Sequence, residues 1–266
     1  MLGKLLKYEI KATSRTFLPM YALLIVFALI NKFFMSLNAD YLRVPQVIAG
    51  IVFGVIIVGI SVMTLVVTIQ RFNQNLLSDE GYLSFTLPVK AHTHIDCKML
   101  VSLMWSVLSV LASFAAIFIL ALDGDTGRKL HEFFAEVMPI FNSYGATGYV
   151  FVLELIALCV IAVLSSVVTI YAAITVGNMS SKHKLLAGVG AYLGFGVIQQ
   201  IVTSILITSF GSSIENCFRS IYAANEYVFI NGMQLFMLGL IVYQLVFGLA
   251  FYFFTNWMLK KKLNLE

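Results

Sequence analysis

The sequence predicts an all-α membrane protein with six transmembrane helices, an N-terminal amphipathic helix at the membrane interface and a short cytoplasmic helix between spans two and three. Hydrophobic residues make up 60% of the chain and charged residues only 11%, about half the charged share of a typical soluble domain. The apolar residues are gathered into six runs, each long enough to cross a bilayer as a helix of about 20 residues. Because lipid offers the backbone no hydrogen-bond partner, each run is expected to be helical.

The six apolar runs leave no interval in which a separate soluble domain could fold. We therefore expect residues 1–266 to form a single transmembrane domain. The last three runs exceed the minimum length, which favours tilted helices or helices that extend beyond the bilayer. The predicted spans are residues 17–37, 46–69, 99–122, 149–176, 185–210 and 231–259.

The basic residues predict the orientation of the chain. Of the 17 Lys and Arg residues, twelve fall in the segments on the N-terminal side of the membrane and five in the opposite segments. Such residues are enriched in cytoplasmic segments, so both termini and the polar interval 71–98 are expected in the cytoplasm. The net charge of +4 is explained by this bias and does not indicate a nucleic-acid partner.

Residues 1–15 have the pattern of an amphipathic helix that lies at the membrane surface. Leucine and isoleucine occupy one half of the helix, and a basic stripe faces anionic headgroups. Glu9 breaks the pattern, because it falls on the apolar half and needs a partner, which another protein could supply. The alternative is that the helix is a surface anchor only. The basic stripe consists of Lys4, Lys7, Lys11 and Arg15.

The polar interval 71–98, between the second and third spans, contains the outline of a short helix. Ser78 can cap its start, and Asp79 and Glu80 then fall in the first turn, where the helix dipole favours negative charge. Pro88 ends it, because the residue before a proline is driven out of the helical region. An acidic helix with exposed aromatics fits a contact with another protein, although a solvated loop on the headgroups would also account for it.

Two intervals on the opposite side of the membrane differ in character. Residues 123–147 carry acids and bases together and could bind a peptide. Residues 211–230 are too apolar for a free loop and too short to span, so interfacial or re-entrant helices are expected there. G-x-x-x-G spacings at Gly50 and Gly54, and at Gly190 and Gly194, favour close helix packing or an interface between two copies.

The string LLSDEGYLSFTLPVK, from Leu76 to Lys90, resembles a signature of the permease subunits of bacterial type-2 ABC exporters. The resemblance is to a subset associated with antimicrobial-peptide or bacteriocin export and immunity. The order of elements along the whole chain is similar to that of the same family. The resemblance implies an exporter of a hydrophobic or amphipathic substrate (peptide, lipid or drug) in the bacterial cytoplasmic membrane.

The resemblance also implies partners and contact residues. The helix between spans two and three would be the coupling helix that docks on a cytoplasmic ABC ATPase subunit, the 1–15 helix would touch the same subunit through Glu9, and residues 211–230 would close the outer end of the pathway. A second permease copy or a sister permease would complete the pathway. The coupling-helix contacts would be Asp79, Glu80, Gly81, Tyr82, Leu83, Phe85 and Leu87.

This chain lacks the G-x-x-x-x-G-K-[S/T] loop of P-loop ATPases. We therefore expect it not to be an enzyme and to bind no cofactor itself, with ATP and Mg²⁺ held by the partner ATPase. No metal site is expected, because His92 and His94 have no third ligand nearby in sequence.

Glu154 is the ionisable residue placed well within a predicted span. A carboxylate in the membrane is costly and points to a functional role, unless the span starts later and Glu154 reaches the interface. It could lie on a transport pathway, and it is the basis of an alternative in which the chain is an ion-coupled secondary transporter. That alternative lacks the internal repeat usual in such proteins. A membrane protein that binds a peptide for sensing or immunity, without transporting it, is a further alternative.

Overall fold

The computed structural model describes residues 2–37, 43–77, 91–122, 126–143, 145–180, 182–223 and 226–261. Within these ranges the chain is all-α. The described residues form seven helices: α1 (Leu2–Ser36), α2 (Arg43–Leu77), α3 (Ala91–Ala121), α4 (Thr126–Ser143), α5 (Ala146–Gly177), α6 (Lys184–Ala223) and α7 (Glu226–Lys261).

Six of these described helices are long and apolar enough to cross a membrane, which confirms the predicted number of spans and indicates a multi-pass membrane protein. They are all of the helices except α4. Most of the apolar surface of the spans is exposed, as in Leu153 at 65% and Leu193 at 62%. Exposed leucine over whole helices fits contact with lipid.

The helices are longer than the predicted spans, because backbone hydrogen bonds continue through the polar flanks. Residues 2–15 continue into the first span as one helix, α1, which contains Pro19. Residues 71–77 complete α2 and residues 91–98 begin α3, while the central part of the interval, 78–90, lies outside the described residues. Residues 211–223 continue α6 and residues 226–230 begin α7, and the re-entry of this interval into the membrane stays a prediction.

Contacts divide the chain into two compact units. The first comprises Met1–Phe72 and Pro88–Ala135, and its core lies among α1, α2 and α3. This core contains both small and large side chains, with Ala28 of α1 and Ala116 of α3 both fully buried. The other buried members of this cluster are Leu24, Phe53 and Ile60.

The second unit comprises Asn73–Leu87 and Glu136–Glu266, and in it α5 packs against both α6 and α7. A Cβ atom added at Gly177, at the end of α5, would lie 2.7 Å from the Cα atom of Gly188 on α6. Gly248 of α7 lies beside Ser165 of α5, where a built Cβ would be 3.4 Å from the serine Cβ, an ordinary van der Waals contact. The absence of a side chain at these positions lets the helices approach closely.

The G-x-x-x-G spacings do not mark these close contacts. A Cβ added at Gly50, Gly54, Gly190 or Gly194 would meet no heavy atom within 4 Å. The prediction of close packing at these four glycines is therefore wrong for contacts within the described chain, and their use between two copies stays a prediction. The spacing describes one helix face, and it does not determine which helix, if any, faces it.

Candidate functional site

A buried ion pair joins the N-terminal helix to the start of α3. Lys98 Nζ donates to Glu9 Oε1 at 2.7 Å, and the two side chains are 7% and 12% exposed, respectively. The partner that Glu9 requires is therefore supplied by this chain, so its position on the apolar half does not by itself call for a second protein. Losing either residue would leave the other charge buried and unpaired.

An aromatic contact lies one to two turns further along the same helices. Trp105 Nε1 donates to Thr13 Oγ1 at 2.7 Å, and Thr13 in turn donates to the Glu9 carbonyl oxygen at 2.8 Å. The rings of Trp105 and Phe17 stack with centroids 4.4 Å apart and planes 11° from parallel. All three side chains are buried. The indole therefore satisfies its polar N–H within a tightly packed apolar contact.

The end of α2 reaches the same turn of α1. Arg71 Nη2 donates to the carbonyl oxygen of Ala12 at 3.2 Å. Arg71 precedes the interval 78–90 and Lys98 follows it, and both bind the stretch 9–13 of α1. We call this set the N-terminal anchor: Glu9, Ala12, Thr13, Arg71, Lys98 and Trp105.

A second set of polar contacts ties α1, α2 and α3 together nearer the middle of the helices. Ser109 Oγ lies 2.8 Å from Tyr21 Oη and 3.0 Å from Thr64 Oγ1. Beside it is an open cavity of about 410 Å³ between α2 and α3. Hydroxyl groups on one part of its wall come from Ser61, Thr64, Ser106, Ser109 and Ser113.

The sequence reasoning identified one member of the anchor, Glu9, and treated Arg71 and Lys98 only as indicators of orientation. A helical spacing could have identified the rest, because Glu9, Thr13 and Phe17 recur every four residues on one face of α1. The serines at 102, 106, 109 and 113 follow the same kind of spacing on α3. Which face meets which helix is not contained in either spacing.

The predicted coupling-helix residues cannot be placed. Asp79, Glu80, Gly81, Tyr82, Leu83, Phe85 and Leu87 lie outside the described residues. The structure therefore describes the two helices that lead into and out of this segment, and their attachment to α1, and leaves the predicted ATPase contacts as predictions.

Glu154 lies in the third turn of α5 and is partly buried. Its Oε2 atom is buried and, among the described residues, has no hydrogen-bond partner. Glu154 therefore lies within a long apolar helix, and its depth in the membrane and its place on a transport pathway stay predictions. Within the described parts of the chain, no three His, Cys, Asp or Glu side chains are grouped so that they could hold a metal ion.

Comparisons with known protein families, with curated proteins and with solved structures find no match to this chain.

Proposed function

We propose that this chain is the membrane subunit of an ATP-driven ABC exporter, with a separate ATPase supplying the energy. The observation that carries the proposal is the string from Leu76 to Lys90, which resembles the coupling segment of bacterial type-2 exporter permeases. Six apolar helices and the position of this string between the second and third spans support it. The cargo in this proposal is a hydrophobic or amphipathic molecule such as a peptide.

The N-terminal anchor gives the proposal a mechanical basis. A force on residues 78–90 reaches α2 and α3, and both helices are fastened to α1 through Arg71 and Lys98. The Glu9–Lys98 ion pair has a short N–O distance and is largely buried. Separating the two side chains would therefore leave each charge without its partner. Movement of the coupling segment would therefore displace α1 together with the ends of α2 and α3.

The proposal is tested by affinity purification of the tagged chain from its native membrane, followed by identification of any ABC ATPase that co-purifies. Replacing Tyr82 and Phe85 together with alanine should abolish ATPase association, because aromatic anchors contribute most of the affinity of such contacts. Phe114→Ala is the matched control, since Phe114 is an aromatic residue 66% exposed on α3. Undiminished association of the double variant would contradict the assigned contact.

A transport assay separates this proposal from simple complex formation. The chain and its ATPase are reconstituted in vesicles with a fluorescent amphipathic peptide, and peptide movement is followed with and without ATP. Movement that requires ATP supports the exporter. Movement driven by an ion gradient, with no ATPase present, would contradict it.

The buried Oε2 atom of Glu154 favours a second candidate function, ion-coupled transport. A buried carboxylate oxygen in a long apolar helix, with no hydrogen-bond partner among the described residues, is a candidate site for a coupling ion. Glu154→Gln keeps the shape of the side chain and removes its charge. It should slow gradient-driven movement at equal protein levels, and an unchanged rate would remove this candidate.

A further inference from the structure

Helix α4 carries an apolar stripe that is largely exposed in the described chain. Its 18 residues run from Thr126 to Ser143, about 27 Å at 1.5 Å per residue. Phe133, Phe134 and Met138 are 57%, 54% and 53% exposed, respectively. With Leu130 and Val137 they recur at helical spacing and cover an arc of about 140° on one side of the helix.

The opposite side of α4 is polar and has no net charge. Arg128 and Lys129 balance Glu132 and Glu136, and Arg128 lies 3.6 Å from Glu132 across one turn, with both side chains exposed. A helix with a wide apolar stripe and a separate polar side matches the interface between lipid headgroups and acyl chains. Because these charges balance, the apolar stripe, and not attraction to anionic lipid, accounts for binding at the interface.

The two ends of α4 hold it close to the ends of two membrane spans. Thr126, its first residue, is buried, and its Oγ1 donates to the Ala121 carbonyl oxygen at the end of α3. At the other end, Gly145 immediately precedes α5, and its N–H donates to the Asn142 carbonyl oxygen of α4 at 3.2 Å. The positive φ of 54° at Gly145 is a conformation that glycine adopts at little cost.

Exposed apolar side chains lie on the helices that precede and follow α4 in the sequence, as well as on α4 itself. The last turns of α3 expose Phe114 and Phe118, the middle of α4 exposes its phenylalanines, and the first turns of α5 expose Tyr149 and Leu153. The exposed apolar faces of α3 and α5 contact lipid if they span. In the sequence, only residues 122–125 separate α4 from α3, and only residues 144–145 separate it from α5. A helix connected so closely to two membrane spans lies near the membrane surface, where its apolar side meets lipid.

We propose that α4 lies on the membrane surface at the leaflet where α3 ends and α5 begins, with Phe133, Phe134 and Met138 inserted below the headgroups. The partner of this helix is the lipid surface. Residues 126–143 are then an interfacial element and not part of a freely exposed loop.

Spin labels on the full chain in phosphatidylcholine vesicles test the proposal. The three native cysteines are replaced by alanine, and a label is placed at Phe134→Cys or, as the matched control on the polar side of the same helix, at Glu132→Cys. Oxygen concentrates in lipid, whereas a neutral nickel chelate stays in water. The label at position 134 should be reached mainly by oxygen and the label at 132 mainly by nickel.

Two results would overturn the proposal. Nickel access at both positions would place the whole helix in water, and protection of position 134 from both reagents would mean that protein covers the stripe. The same pattern is expected when anionic phosphatidylglycerol is added, because α4 has no net charge. Insertion that occurs only in anionic vesicles would overturn the assigned basis of binding.

A second set of variants keeps the native cysteines, so that its result does not depend on the folding of the cysteine-free protein. Phe134→Trp and Glu132→Trp are each compared with the native chain, whose Trp105 and Trp257 supply a common fluorescence background. Lipids brominated near the headgroup should quench the added indole at 134 and not that at 132. Equal quenching at the two positions would contradict the orientation of the stripe.

Discussion

The apolar helices of the two compact units are held together by different kinds of contact. In the first unit, polar side chains cross between helices: Glu9 with Lys98, Thr13 with Trp105, and Ser109 with both Tyr21 and Thr64.

In the second unit, helices come close at small residues, with a built Cβ at Gly177 only 2.7 Å from the Gly188 Cα atom. A hydroxyl contact between Thr203 and Tyr243, at 2.7 Å, joins α6 to α7 there.

The comparison separates two sources of stability in lipid. Hydrophobic side chains gain little by leaving lipid for another helix, so helix association depends on close packing and on polar contacts. A buried ion pair specifies one partner and one register but costs desolvation. Close approach at glycine involves no charged group and depends on the absence of a Cβ atom. The first unit should therefore be more sensitive to loss of charge, and the second to added volume.

The largest expected effect is that of Lys98→Met. It removes the cation and leaves the Glu9 carboxylate buried, so the free energy of unfolding should fall by about 3–5 kcal/mol. Thermal unfolding in detergent, followed by circular dichroism, measures the loss. Lys4→Met, at an exposed lysine of the same type, is the control.

The double variant Glu9→Gln with Lys98→Met shows whether the stability lost in Lys98→Met comes from an unpaired buried charge or from lost packing. It should recover much of the stability, because no unpaired charge remains. A double variant no more stable than Lys98→Met would show that the electrostatic reason is wrong.

Gly177→Ala should have the next largest effect, in the second unit. The added Cβ would lie 2.7 Å from both the Gly188 Cα atom and the Lys184 carbonyl oxygen, so the α5–α6 contact must shift. Overpacking of this kind costs about 1–3 kcal/mol, which the same thermal measurement would detect.

Gly190→Ala is the matched control for Gly177→Ala, because a Cβ there meets no heavy atom within 4 Å. Alanine is favoured over glycine in a helix by about 0.5–1 kcal/mol, so the control should be neutral or stabilising. Equal destabilisation by the two substitutions would mean that the close approach is not what holds α5 to α6.

The smallest expected effect is that of Tyr243→Phe. The hydroxyl contacts Thr203 Oγ1 at 2.7 Å and donates to the Gln199 carbonyl oxygen at 3.2 Å. Hydrogen bonds between membrane helices contribute about 0.6 kcal/mol on average, so the loss should be near that value. Tyr192→Phe, at an exposed tyrosine of α6, is the control.

A loss for Tyr243→Phe larger than that for Gly177→Ala would reverse the ranking within the second unit. It would show that the second unit also depends chiefly on polar contacts, which is the property assigned here to the first.

Glu9 shows how far the sequence reasoning reached at the candidate site. Its place on an otherwise apolar half predicted that it needs a partner, since burying a lone carboxylate is costly. The partner, Lys98, lies 89 residues away, and no local pattern links the two. Helix α4 is not predicted from residues 123–147, where only the mixed charges are noted, although its apolar residues have helical spacing.

The sequence by itself determined the all-α class and the six apolar helices, because a backbone in lipid must satisfy its hydrogen bonds within each segment. Those bonds link residues four apart, so they are encoded locally. Only the tertiary structure decided that Glu9 pairs with Lys98, that Gly177 and not Gly190 is a point of close approach, and that the stripe of α4 is left open. These outcomes depend on which faces of distant segments meet, which is a property of the packed chain.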